Sequence, residues 1–268
     1  MSKQHSDSSM NIFPARTHQS TPIEKITNLL SKYRTSVPSH IQRCVLLSTG
    51  SYNPCHRMHI ETFHIIKKAL ESSHNMLVVG AFISPSHGQY VSSKLGEDYI
   101  ETEARLEICK LSIEAETRKL KEIHGEDSVD DFLCVDRWES AVCREFIDFP
   151  DITYTLREYL EQQFPNENIQ VIYICGSDHL EKCPYVLSFP TLLKCGAAIL
   201  NRPSHSKSAA SKQSSYKKTE HIYWIDTTME DECSSTLVRK KAKAGETISQ
   251  WVYPEVESYM RTHHIYFP

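Results

Sequence analysis

Two histidines three residues apart, His56 and His59, follow Gly50, Asn53 and Pro54 in the stretch STGSYNPCHRMHIETF, residues 48–63. Here an apolar run hands over to a helix-like run. Gly50 permits a tight turn and close backbone approach, Asn53 can cap a helix, and Pro54 suits its first turn. At i and i+3 the two imidazoles share one face of the first helical turn, and the free amides of a helix start attract phosphate. Imidazoles donate hydrogen bonds to phosphate oxygens and gain charge when an anion raises their pKa. Taken alone, the stretch fits an anion site, a metal-binding pair or two solvent-facing histidines.

Such residues need a scaffold to aim them. The 268 residues are ample to bury a core, and 40% apolar with 24% charged content is that of an ordinary globular chain. A net charge of -4 argues against a general nucleic-acid binder. Nine scattered cysteines without a Cys-x-x-Cys pair argue against a zinc site and for a reduced compartment, cytosol with the nucleus left open. No signal-peptide pattern or long apolar run points to a membrane. Residues 1–22 are polar and aperiodic and read as a flexible tail ahead of one domain over 23–268. Within that domain, apolar runs at 44–50, 76–83, 131–135, 169–175, 196–201 and 221–226 read as buried strands. Amphipathic stretches lie between them, among them 56–73 with Ile60, Phe63, Ile66 and Leu70 on one stripe. The alternation predicts an α/β fold. Its core is a doubly wound, Rossmann-like parallel sheet with helices on both faces, followed by C-terminal helices. A Ser/Lys-rich stretch, 203–219, reads as a mobile surface loop inside it. Ligands of such sheets gather where strands end and the next helices begin.

The spacing of residues 50–59 resembles the G-x-F/Y-x-P-x-H-x-x-H signature of the nucleotidylyltransferase superfamily. A second signature of that superfamily, Ser-Ser-Thr-x-Ile/Val-Arg, is matched by CSSTLVRKK, residues 233–241. Hydroxyls at a helix cap, free amides and a guanidinium one turn further in would converge on a polyphosphate; the plainer reading is an ordinary capped surface helix. ISP at 83–85, VDRWES at 135–140, GSD at 176–178 and the closing residues from Arg239 onward are similar to eukaryotic-type nicotinamide/nicotinate mononucleotide adenylyltransferases. The resemblance covers roughly residues 43–267.

That resemblance implies roles. Gly50, Ser51 and Tyr52 would line a phosphate cradle, with His59 on the ATP phosphates and His56 beside it. Gly176 and Asp178 would hold the adenosine ribose. Arg202 and Arg239 would neutralise phosphate, and Ser234, Ser235 and Thr236 would complete the triphosphate site. His59, His56 and Arg239 would carry the catalytic contacts. For the mononucleotide, Ser51 and Lys94 would meet the phosphate; Lys94 stands in for a family lysine whose aligned position here is Val91. Trp138 would stack on a pyridinium ring, with Phe189 at the offset of a second aromatic.

The implied activity is transfer of the adenylyl group of ATP to nicotinamide mononucleotide, and also to its nicotinate analogue, giving NAD and pyrophosphate. Mg²⁺ would arrive with ATP, and no residues are assigned as metal ligands. A phosphate monoester is already ionised near neutrality, its second pKa being about 6, so no side-chain nucleophile or base is needed. The implied partners are these small molecules, with no nucleic acid or membrane and with a homo-oligomer left open. The rivals are a nucleotidylyltransferase with another phosphate acceptor, and a non-catalytic, chaperone-like relative that keeps the fold.

Overall fold

The structure, a computed structural model, describes residues 13–201, 219–227 and 233–268. Six strands form one sheet: β1 (Gln42–Gly50), β2 (Met76–Pro85), β3 (Leu133–Val135), β4 (Gln170–Gly176), β5 (Gly196–Asn201) and β6 (Ile222–Asp226). Their order is β3-β2-β1-β4-β5-β6, and every neighbouring pair is parallel. This is the doubly wound arrangement expected from the alternation of apolar runs with amphipathic ones. All ten residues of β2 are buried, as are Cys44–Leu47 of β1; strands buried on both faces read as continuous apolar runs.

Helices α1 (Glu24–Tyr33), α2 (Arg57–Ser73), α3 (Gly88–Leu95), α4 (Thr102–His124) and α5 (Phe149–Gln163) accompany the first half of the sheet. The short α6 (Ser177–Lys182) and α7 (Phe189–Leu192) separate β4 from β5, and α8 (Ser235–Lys243) and α9 (Pro254–Thr262) close the chain. Helix α2 buries Ile60, Phe63, Ile66 and Leu70, the predicted stripe. Helix α1 sits close on β2 because Gly80 has no side chain: a Cβ there would lie 2.5 Å from Ile26 Cγ1.

Residues 1–12 of the expected tail lie outside the described residues. Residues 13–22 are packed onto the fold, with Arg16, Ser20 and Thr21 buried. Arg16 Nη1 donates to both carboxylate oxygens of buried Asp136, at 3.0 and 2.9 Å. Thr21 Oγ1 donates to Asp136 Oδ1 at 2.8 Å, and the Arg137 N–H donates to Ser20 O at 2.8 Å. The segment lacks periodicity because a buried charge far along the chain holds it, not an apolar stripe of its own. The predicted loop at 203–219 falls outside the described residues apart from Thr219, and so does Arg202.

Candidate active site

In this strand order the direction in which strands are added to the sheet reverses between β1 and β4, and the crevice beyond their carboxyl ends is where ligands bind. A cavity of about 250 Å³ opens there. It brings together Gly50, Ser51 and Tyr52 from the end of β1, His59 from the first turn of α2, Gly176 from the end of β4 and Asp178 from the start of α6. Thr49 Oγ1 and Tyr173 Oη, 3.1 Å apart, tie the two strand ends across it. Gly176 leaves room for the neighbouring carboxylate to fold back, since a Cβ would meet Asp178 Oδ1 at 2.5 Å. Depressions of about 560 and 370 Å³ lie along α4 beside Lys25 and Ile113. They hold none of these residues, so size does not mark the site; the strand ends do.

His56 and His59 bond reciprocally at the start of α2: the His59 N–H donates to His56 O at 2.9 Å, and His59 Nδ1 accepts from the His56 N–H at 3.1 Å. The rings stack at 3.6 Å between centroids. With Nδ1 accepting, the ring hydrogen of His59 is on Nε2, and this ring lines the cavity. His56 is buried beneath it and orients it.

The loop carrying Ser51 to Cys55 is held from three directions. Arg105 Nη1 of α4 donates to Ser51 O at 3.0 Å. Asn53 accepts from the Ile100 N–H at 2.8 Å and donates to Asp98 O at 2.6 Å. From α8, Ser235 Oγ donates to Pro54 O at 2.9 Å and Arg239 Nη1 to Asn53 O at 2.9 Å. Arg239 also pairs with Asp98 Oδ2 at 3.2 Å and donates to Thr236 Oγ1 at 3.3 Å, while Ser234 Oγ accepts from the Leu237 N–H at 3.2 Å. The expected triphosphate group of Ser234, Ser235, Thr236 and Arg239 therefore caps α8 and clamps the loop, and none of the four lines the cavity.

Both aromatics expected at the mononucleotide ring are enclosed. Trp138 is 0% exposed, with Arg16 Cζ 4.2 Å above its ring centre, Phe13 edge-on at 6.2 Å, and its Nε1–H donating to Pro14 O at 3.0 Å. A cation already covers it, and the ring has no open face. Phe189 is 2% exposed, packed 5.8 Å from Phe149 and 5.6 Å from Tyr173. Tyr90 and Phe146, stacked at 4.4 Å, are among the accessible aromatics at 39% and 38% exposed, along with Tyr154 and Tyr185. Lys94 lies 5.7 Å from the Tyr90 ring centre, and its Nζ donates to Ser51 Oγ at 3.4 Å. Val91 is buried, so Lys94, one turn further along α3, is the lysine that reaches the cradle. Burial lowers the Lys94 pKa, and the like charges of Lys182 and Arg239 lower it further: these cations face one another. His179, unanticipated from sequence, also lines the cavity; burial lowers its pKa against the opposing pull of Asp178 and Asp148.

The cytidylyltransferase-like family model matches residues 47–241, from the end of β1 through the Arg239 helix. The chain belongs to that family. Its relatives include a nicotinamide/nicotinic acid mononucleotide adenylyltransferase of Arabidopsis thaliana, 24% identical over 83% of this chain and 89% of the relative. Proteins of the same name from Oryza sativa subsp. japonica and Bos taurus are 26% and 23% identical, over 83% of this chain and 85% and 88% of theirs. In this cytidylyltransferase-like chain the first signature lines the cavity, and the second braces the first from behind.

Among the described residues no cluster of three or more His, Cys, Asp or Glu side chains suits a resident metal, and no helix is long and apolar enough to cross a membrane.

Proposed function

We propose that the chain joins the phosphate of nicotinamide mononucleotide to the α-phosphate of ATP, releasing pyrophosphate and forming NAD. The nicotinate analogue serves as a second acceptor. The observation that carries this reading is one cavity at the β1–β4 crossing, lined by Gly50, Ser51, His59 and Asp178 and flanked by Lys94 and the Tyr90–Phe146 pair. The names of the relatives support it.

The acceptor's phosphate oxygen, ionised near neutrality, forms the new bond to the α-phosphorus. The bond from that phosphorus to the bridging oxygen breaks, and its electron pair leaves on pyrophosphate. Mg²⁺ enters as part of the ATP substrate and adds to charge neutralisation there. The chain's own task is to align two anions and steady the departing charge. Lys94 and Ser51 hold the acceptor phosphate, and His59 donates from Nε2 to the ATP phosphates. Asp178 accepts from ribose hydroxyls, and Tyr90 and Phe146 give the cationic pyridinium ring an aromatic face. Arg239 acts through the loop it clamps.

Incubation of the purified chain with ATP, Mg²⁺ and nicotinamide mononucleotide is expected to yield NAD and pyrophosphate in equal amounts. Pyrophosphate release only with a different phosphomonoester would overturn the acceptor assignment, and none with any acceptor would leave the non-catalytic rival standing. Lys94→Ala removes one charge-assisted contact, so the KM for mononucleotide should rise by about 10-fold or more while the KM for ATP changes little. Equal rises in both constants would move Lys94 to the ATP side.

A further inference from the structure

Glu139 takes no part in the steps above, yet it is fully buried beside them. It lies in the π-helical turn Trp138–Val142 that follows β3. Its Oε1 accepts from the His87 N–H at 2.8 Å, and its Oε2 is enclosed with no hydrogen-bond partner. His87 in turn caps α3, its Nδ1 accepting from the Gln89 N–H at 3.3 Å. One carboxyl oxygen therefore links the first turn of the helix that carries Tyr90 and Lys94 to the turn that leads into Phe146.

The charged and titratable groups facing Glu139 are Asp136, Cys143, Arg105 and Arg16. Both arginines are engaged elsewhere, Arg16 with Asp136 and Arg105 with Ser51 O, Ile100 O and Thr102 Oγ1. Among the described residues Glu139 forms no ion pair. Burial pushes its carboxyl up to about 8, with Asp136 adding to the rise against the opposing pull of the His87 N–H and the two arginines. The group is thus protonated at neutral pH.

We propose that Glu139 is a positioning residue, clasping the loop after β2 to the turn after β3 and so holding Tyr90, Phe146 and Lys94 in register for the acceptor mononucleotide. This rests on the acceptor reading given above. The neutral carboxyl suits its apolar surroundings; the ionised one is a buried charge beside Asp136 and is drawn toward water. The raised carboxyl contributes stability that is complete below the ordinary glutamate range and is lost as pH rises through about 8. The clasp loosens in mildly alkaline solution.

The test uses the full chain, Glu139→Gln and Glu139→Ala, with steady-state kinetics from about pH 6.5 to about pH 9. Glutamine keeps an acceptor for the His87 N–H and does not ionise. In the unaltered chain the KM for mononucleotide is expected to climb several-fold across that range while the KM for ATP stays flatter. Glu139→Gln should match it at neutral pH and lose most of the climb, leaving whatever part belongs to Lys94. Glu139→Ala should raise the mononucleotide KM by about 10-fold at every pH and change kcat less. Hydrogen exchange at the His87 amide reads the clasp without any turnover: slow in the unaltered chain and in Glu139→Gln, fast in Glu139→Ala. Equal exchange in all three overturns the clasp, and an unchanged alkaline climb in Glu139→Gln overturns its titration. Absence of NAD formation by the unaltered chain, with exchange behaving as expected, would fault the acceptor reading instead.

Discussion

His59→Ala is expected to lower kcat by about 100-fold or more while changing the KM for ATP only a few-fold. The imidazole lines the cavity with Nδ1 accepting from the His56 backbone, so Nε2–H is the face it presents. A donor fixed before the reaction gains most where charge grows, on the oxygens of the departing pyrophosphate. Steady-state kinetics and an equilibrium measurement of ATP binding would decide it. A loss of binding as large as the loss of turnover would make His59 a ground-state ligand. His56→Ala should cost less, since that ring is buried and acts by stacking on His59.

Arg16→Ala is expected to destabilise the fold by about 3–5 kcal/mol, the usual consequence of stranding one member of a buried ion pair. The two side chains are 2% and 0% exposed, and Arg16 also donates to Ile152 O at 3.2 Å and caps the Trp138 ring. Asp136 would keep Ser84 and Thr21 as partners but lose its counter-charge. Urea unfolding measures the loss, and removal of residues 1–22 should reproduce it. Replacing both partners by neutral residues, Arg16→Met with Asp136→Asn, should recover much of the stability. Unchanged stability on removing residues 1–22 would restore the flexible-tail reading.

The strands, their parallel order and the crevice at the ends of β1 and β4 were legible because burial on two faces forces continuous apolar runs. The residues near those ends, Gly50 to Tyr52, His59, Gly176 and Asp178, line one cavity. What stayed hidden is which faces neighbours cover. Trp138 stands at a strand end, as a stacking residue would, but Pro14 and Arg16 that close over it lie more than a hundred positions earlier. Arg239 has the right place on α8, yet Asp98 and the Asn53 carbonyl take its guanidinium. Tyr90 and Phe146 follow no shared periodic pattern, because their stacking joins helix α3 to the irregular segment after β3. Glu139 sits inside the quoted VDRWES motif without announcing itself; only its enclosure, with one oxygen unpartnered, separates it from a surface glutamate.

The link between Arg16 and Asp136 also sets an order of events during synthesis. The two residues are 120 positions apart. At roughly 5–20 residues per second, Arg16 is made roughly 6–24 s before its counter-charge. The segment around Arg16 is therefore made well before the residue that seats it. Until β3 and the turn after it have been translated, the nascent chain carries residues 13–22 undocked and open to proteases, and the face of the sheet they will cover lacks its seal.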